Sequence, residues 1–165
     1  MLNISIPFSF LKKNNILLSA KEVDFAIQYE LIYLKDLGEI VDISLSKYPD
    51  DENLLELALN LLLDDSYINT DVSNDVKQDN DLISSKWRYI LLLWLYENRK
   101  DSSADYDRID IVYADFGYPV DMERFISYMP AHGNPDKLGY DNILHNWKDY
   151  LNTYRHLIES QNTSI

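Results

Sequence analysis

The chain has 165 residues and an acidic composition, with 28 Asp and Glu against 15 Lys and Arg and a formal net charge of −13. This balance excludes a basic groove for nucleic acid and disfavours binding to an anionic membrane surface. The absence of cysteine excludes disulfides, thiol catalysis and zinc–thiolate sites. Apolar residues make up 46% of the chain, which is enough for one globular domain with a hydrophobic core.

The first predicted helices follow directly after the N-terminus. Residues 8–18 form a short apolar and basic stretch that favours one or two helical turns. Ser19 and Glu22 have the spacing of a capping box, in which each side chain accepts a backbone N–H of the other residue. Apolar residues then recur at helical spacing, and Gly38 can adopt the left-handed conformation that often ends a helix. The pattern predicts a helix over residues 20–36.

The next two helices are separated by a proline. Residues 39–48 are apolar at several positions and fit a helix or a short strand; the helical neighbours favour a helix. Pro49 ends this element, because proline cannot donate a helical hydrogen bond. Asp50 or Asp51 can cap the following helix, which is predicted at residues 54–63.

A polar segment and the most apolar helix of the chain come next. Residues 64–81 are rich in Asn, Asp and Ser, which predicts an acidic surface loop. Residues 82–98 carry Trp and Leu at helical spacing, and residues 89–96 within them are apolar without interruption. Because a helix that is apolar on every side is buried, residues 82–98 are predicted to form the central helix.

Nothing in this pattern indicates a membrane protein. The apolar stretch at 89–96 is much shorter than the ~20 residues that span a bilayer. The N-terminus lacks the basic and apolar regions of a secretory signal. We therefore expect a soluble, cytoplasmic protein.

The C-terminal part predicts three further helices. One is marked by apolar residues at i, i+3, i+4 and i+7, namely Ile109, Val112, Tyr113 and Phe116. Gly117 and Pro119 end this helix. A short helix over residues 120–128 and a loop with Pro and Gly at 130–139 precede a last helix at 140–159.

These elements predict an all-α fold. The expected architecture is a compact single domain of six to seven helices over residues 1–160. The tail at 160–165 is expected to fray, as chain termini commonly do.

The negative charge is concentrated in two segments. Residues 50–81 carry ten acids against one base, and residues 101–123 carry seven against one. These segments contribute −9 and −6, so the remaining residues sum to +2. Clustered charge of this kind attracts cationic partners over a distance.

Residues 101–123 also combine acids with aromatic rings, a composition typical of protein interfaces. The predicted partner-binding residues are Asp107, Asp110, Tyr113, Asp115, Tyr118 and Asp121. The predicted second acidic set consists of Asp64, Asp65, Asp71 and Asp75. The alternative is that both tyrosines pack inward and the aspartates only cap and solubilise the helix.

No motif indicates catalysis. Residues 71–82 place acids at several positions of a calcium loop, but Val76 stands where an EF-hand needs glycine and Leu82 where it needs glutamate. His132 can act as a general base from its loop, although a loop histidine without a role is the more frequent case. We predict no catalytic residue, no metal site and no cofactor.

One set of motifs in the second half is recognisable: Lys86–Asn98, Ile111–Pro119 and Phe125–Pro130, together with Trp147 and Tyr150. This set resembles a family of small uncharacterised bacterial proteins, a domain of unknown function, over residues 80–150 and more loosely in the first half. Members of that family look like immunity proteins that accompany secreted bacterial toxins. The resemblance implies no catalytic residue.

Charge and resemblance together predict a non-enzymatic interaction protein. In this hypothesis an immunity protein binds and occludes a cationic toxin domain, such as a nuclease, through its acidic surface. Two alternatives stay open, namely a carboxylate-based metal-binding protein or enzyme, and a helical adaptor with no toxin partner.

Overall fold

The computed structural model describes residues 4–63, 77–126 and 140–159. In these ranges the α-helices are Phe8–Lys13 (α1), Ala20–Gln28 (α2), Leu37–Lys47 (α3), Glu52–Leu63 (α4), Lys77–Glu97 (α5), Ser103–Asp115 (α6) and Tyr140–Thr153 (α7). Short 3₁₀ helices lie at Leu34–Asp36, Val120–Phe125 and Arg155–Leu157. The described residues form no β-strand, only one isolated bridge, so the all-α prediction is confirmed.

The described residues group into two compact units. The first runs from residue 4 to Trp87 and includes Ile158 and Glu159, and the second contains residues 88–157. The boundary lies within α5, which therefore contributes residues to both units. The single domain expected over residues 1–160 stays a prediction.

Capping contacts explain the ends of α1 and the start of α2. After α1, Asn15 has a left-handed φ of 54°, and the N–H of Ile16 reaches the carbonyl of Leu11 at 2.9 Å. The predicted capping box is present, with Ser19 Oγ accepting from the N–H of Glu22 at 3.2 Å and Glu22 Oε1 accepting from the N–H of Ser19 at 3.3 Å. Both contacts are local in sequence, so the residue spacing was sufficient to predict the box.

Helix α2 ends at Gln28, so the prediction of a helix over residues 20–36 is wrong beyond that residue. Glu30 has a φ of 55°, and the N–H of Leu31 donates to the carbonyl of Ala26 at 2.8 Å. This arrangement is a Schellman turn, which satisfies the last carbonyls of the helix. The left-handed residue at the end of α2 is Glu30, whereas the sequence analysis expected Gly38 in this role.

A contact from the N-terminus holds the chain in this turn. The N–H of Ile6 donates to the carbonyl of Leu31 at 2.7 Å, and a parallel bridge joins Ile6 to Ile32. Gly38, predicted as the helix stop, lies inside α3 instead. Apolar spacing within one segment cannot show such a pairing with another segment, which is why the break was missed.

α3 and α4 pack against each other within the first unit. α3 confirms the helix predicted at 39–48. Asp51 caps α4 as proposed, because its Oδ1 accepts from the N–H groups of Asn53 at 3.0 Å and Leu54 at 3.2 Å. Leu54 and Leu57 are buried and supply the apolar contact of α4.

α5 begins inside the segment predicted as a loop. Residues 77–81 belong to α5, so the loop predicted over 64–81 is wrong there, and residues 64–76 lie outside the described residues. Extending a formed helix by one turn costs little, even where the turn carries few apolar residues. Of the apolar run at residues 89–96, residues 89–92 and Leu95 are buried, whereas residues 93, 94 and 96 are half-buried. The predicted burial on every side is therefore confirmed only in part.

Within the first unit, an ion pair and hydrogen bonds connect α5 to α2. Lys86 Nζ donates to the carbonyl of Leu17 at 2.7 Å and lies 2.8 Å from both carboxylate oxygens of Glu22. Trp87 Nε1 donates to the carbonyl of Glu22 at 2.9 Å. Glu22 therefore caps its own helix and also anchors α5.

In the second unit, an aromatic cluster surrounds the buried ring of Tyr150. Its centroid lies 6.1 Å from that of Tyr89, 5.2 Å from Phe125 and 4.9 Å from Tyr154. The hydroxyl of Tyr89 donates to the carbonyl of Leu151 at 2.6 Å. These contacts hold α7 to the part of α5 that belongs to this unit.

The last helix, predicted over 140–159, ends at Thr153. Thr153 Oγ1 donates to the carbonyl of Asp149 at 2.8 Å, and such side-chain bonds compete with the continuing helical ladder. The 3₁₀ helix Arg155–Leu157 follows. The apolar stripe continues to Ile158, which is buried although it lies beyond the end of α7. A helix length predicted from this stripe alone is therefore too long.

The remaining predicted elements are only partly within the described residues. The short helix predicted at 120–128 is a 3₁₀ helix over Val120–Phe125. Residues 127–139, including the predicted loop at 130–139, and the tail at 160–165 lie outside the described residues. Within the described ranges, no helix is both long enough and apolar enough to cross a membrane.

Candidate protein-interaction surface on α6

α6 begins at a turn that is held by a buried carboxylate. Asp105, only 2% exposed, accepts from the N–H of Lys100 at 2.8 Å and from the N–H of Ser102 at 3.4 Å. Ser102 Oγ in turn accepts from the N–H of Ala104 at 3.4 Å. This second capping box sets the first turn of α6.

The residues of α6 are divided between a buried face and an exposed face. Ile109, Val112 and Tyr113 are buried, in agreement with the predicted apolar stripe. The exposed residues also recur at helical spacing and include Asp107, Ile111, Ala114 and Asp115. The exposed face therefore places an isoleucine, 40% exposed, between two carboxylates.

The turn after α6 presents an aromatic ring to solvent. Gly117 and Tyr118 have left-handed φ values of 76° and 59°, and the N–H of Tyr118 donates to the carbonyl of Tyr113 at 2.9 Å. The Tyr118 ring is 60% exposed and meets the Tyr113 ring edge-on, with centroids 5.2 Å apart. Val120, 76% exposed, extends the apolar surface beyond the turn.

The two tyrosines differ in their surroundings. Tyr113 is 2% exposed, and burial is the main cause of its raised pKa, with a smaller contribution from the charge of Glu123. Tyr113 packs against the ring of Tyr118 and is too deeply buried to contact a partner itself.

An ion pair ties the segment after the turn to α5. Arg88 Nη2 donates to Asp121 Oδ2 at 2.6 Å, and the side chains are 9% and 25% exposed. Met122 and Phe125 of the same 3₁₀ helix are buried. Asp121 thus acts inside the fold, where it fixes the path of the chain that leaves Tyr118.

We call the exposed residues of α6 and of the turn after it the α6 face: Asp107, Ile111, Asp115, Tyr118 and Val120. Three of the six predicted partner-binding residues belong to it, namely Asp107, Asp115 and Tyr118. Asp110 is half-buried, Tyr113 is buried and Asp121 is paired with Arg88.

Sequence reasoning missed two members of the α6 face. Ile111 lies off the buried stripe of Ile109 and Val112, and its place in the helical period could have indicated that it is exposed. Val120 follows Pro119 directly, and its exposure depends on the path of the 3₁₀ helix. The predicted second acidic set, Asp64, Asp65, Asp71 and Asp75, lies outside the described residues.

The described residues show no arrangement suited to metal binding. Across residues 4–63, 77–126 and 140–159, no three His, Asp or Glu side chains are close enough to hold an ion. His145 and His156 are exposed, and His132 lies outside these ranges. The end of the calcium-like segment 71–82 is helical from Lys77 onward.

A protein-family model matches residues 8–155 and carries the description of an uncharacterized protein conserved in bacteria, DUF2247. The chain belongs to this family. The match extends through the first half of the chain, which resembled the family only loosely by motif. Neither the curated proteins nor the solved structures contain a match to the chain.

Proposed function

We propose that this DUF2247 protein is a non-enzymatic interaction protein, and that it acts as a bacterial immunity protein by binding and occluding a cationic toxin domain. The observation that carries the proposal is the α6 face, which combines exposed apolar residues with carboxylates on α6 and on the turn after it. Protein interfaces of this kind place an aromatic or aliphatic centre inside a polar rim.

Tyr118 is the expected centre of the contact. Its ring is largely exposed, yet it is supported by Tyr113 and by a backbone hydrogen bond. A ring that is already positioned loses little conformational freedom on binding, so more of the contact energy remains as affinity.

The carboxylates of the α6 face supply the rim. Asp107 and Asp115 are exposed on either side of Ile111, and segment 101–123 as a whole carries a charge of −6. Such a charge accelerates the encounter with a basic partner and repels acidic ones. Occlusion of a nuclease-like toxin would follow if its basic substrate groove met this surface.

The experiment is to co-express the protein with the products of the neighbouring genes and to isolate any complex at low ionic strength. A 1:1 complex that inhibits the partner's toxicity supports immunity. A complex with a non-toxic neighbour favours the adaptor alternative. If no neighbouring product binds at low salt, the proposal is refuted.

Two variants test the surface once a partner is known. Tyr118→Asn keeps a residue that tolerates the left-handed backbone but removes the ring, and we expect the affinity to fall at least about 30-fold. Asp107→Asn with Asp115→Asn should slow association about threefold to tenfold at low salt and less at high salt.

A matched control removes the same charge elsewhere. Glu39 and Asp42 are exposed on α3 in the first unit, so Glu39→Gln with Asp42→Asn changes the net charge equally without altering the α6 face. If this control slows association as much as the α6 variants do, the effect is one of net charge and the α6 face is not the binding surface.

A further inference from the structure

A second surface lies in the first unit, on the loop that follows α2. Three large side chains of this loop are exposed, with Tyr29 at 54%, Tyr33 at 43% and Leu34 at 65%. Between them, Leu31 and Ile32 are only 2% and 4% exposed. The loop therefore has buried anchors and presents three large side chains to solvent, a composition found in contact surfaces.

The backbone of this loop is held at both ends. The carbonyls of Leu31 and Glu30 accept from Ile6 N at 2.7 Å and from Ser5 Oγ at 3.2 Å. Asp36 Oδ2 accepts from the N–H of Phe8 at 3.1 Å. A loop fixed in this way pays little ordering entropy when it forms an interface.

The side chains of the loop are also positioned. The Tyr29 ring lies 4.6 Å from the ring of Phe25, measured between centroids. Lys35 Nζ lies 5.3 Å from the centroid of the Tyr33 ring. Exposed rings that are already packed on one side are effective contact residues.

The charges on the loop indicate which partner fits. Glu30 and Lys35 are exposed, carry opposite charges and flank Tyr33 and Leu34 in the sequence. A strongly basic partner would be repelled by Lys35 and a strongly acidic one by Glu30. A second copy of the same loop, turned by a two-fold axis, matches both charges at once.

We infer that two copies of this chain associate through the loop at residues 29–35. Tyr33 and Leu34 form the apolar centre, and Glu30 of each copy faces Lys35 of the other. The surface is small for a stable dimer, so the association is reversible and concentration-dependent. It is independent of the α6 face and of the partner proposed for it.

Sedimentation velocity of the full chain tests this inference. Samples from about 5 to 500 µM, the range in which small interfaces dissociate, are compared at about 150 mM salt, where charges more than about 8 Å from the loop are screened. The sedimentation coefficient should rise from the monomer value toward the dimer value. A chain that stays monomeric over this range overturns the inference, and so does association beyond a dimer.

Leu34→Asp places a charge in the apolar centre and should weaken association at least about tenfold. Leu59→Asp is the matched control, because Leu59 is 54% exposed on α4 and lies outside the loop. Circular dichroism verifies that both variants fold. If the dimer survives Leu34→Asp, or is lost equally in Leu59→Asp, the loop is not the interface.

Charge reversal tests the two-fold arrangement. Glu30→Lys and Lys35→Glu should each weaken association, because each places like charges in contact across the axis. The double variant, Glu30→Lys with Lys35→Glu, restores opposite charges at both contacts and should recover the dimer. Failure of the double variant to recover association would contradict the pairing of Glu30 with Lys35.

Discussion

Replacing Asp121 by asparagine should destabilise the protein by about 2–3 kcal/mol. Arg88 is 9% exposed and its Nη2 lies 2.6 Å from Asp121 Oδ2, so the substitution leaves a buried guanidinium without its counter-ion. Removing one partner of a fully buried ion pair costs about 3–5 kcal/mol. The 25% exposure of the Asp121 side chain admits some water and lowers the expected cost.

Urea unfolding, followed by tryptophan fluorescence and circular dichroism, measures this effect. With a slope of about 2 kcal/mol per molar urea for a chain of this size, the midpoint should fall by about 1 M. Asp107→Asn is the matched control, since Asp107 is exposed on α6 in the same unit. We expect the control to change stability by less than about 0.5 kcal/mol.

A double variant separates the loss of charge from the loss of packing. Arg88→Met with Asp121→Leu removes both charges and keeps apolar volume, so most of the lost stability should return. If Asp121→Asn costs no more than Asp107→Asn, the ion pair does not hold the segment after Tyr118, and the structural role assigned to Asp121 is wrong.

Three further predictions use the same unfolding assay. Trp87→Phe removes the hydrogen bond to the carbonyl of Glu22, which is 2.9 Å long and buried, and should cost about 1–3 kcal/mol; an unchanged midpoint would show that water replaces this bond. Glu30→Gly relieves a φ of 55° and should raise stability by about 1 kcal/mol, whereas a loss of stability would contradict the strain assigned to this turn. Burial raises the pKa of Tyr150 from 10 to about 12, although the charge of Arg88 lowers it in part. Because the native state keeps this proton longer than the unfolded state, the contribution is complete below pH 10 and is lost as the pH rises toward 12, by about 3 kcal/mol in total. Tyr150→Phe should remove this part of the pH dependence, and an equal slope in the variant and the native protein would refute it.

Local sequence patterns predicted much of the helical framework. The capping box of Ser19 and Glu22 and the cap at Asp51 rest on hydrogen bonds between residues at most three positions apart. The buried stretch within α5 and the buried stripe of α6 follow from apolar periodicity. Such signals are readable because each contact, or each face of a helix, lies within a single segment.

The candidate surface was predicted only in part, because spacing does not show how far each ring is covered. Tyr113 and Tyr118 are five residues apart and were expected to share one environment, yet one is buried and the other is 60% exposed. The left-handed turn at Gly117 and Tyr118 separates them. Ile111 was not among the predicted partner-binding residues, yet it is 40% exposed and belongs to the α6 face.

The sequence by itself determined the helical class, the positions of several caps and the concentration of acids in two segments. The tertiary structure decided that helix α2 ends at Gln28, where the N–H of a distant residue, Ile6, donates to the carbonyl of Leu31 and holds the turn. It also decided that Asp121 pairs with Arg88, 33 residues earlier in the chain, while Asp107 and Asp115 remain exposed. These outcomes depend on which segments of the chain contact each other in the folded protein. The residue pattern within one segment does not show which other segment it will contact.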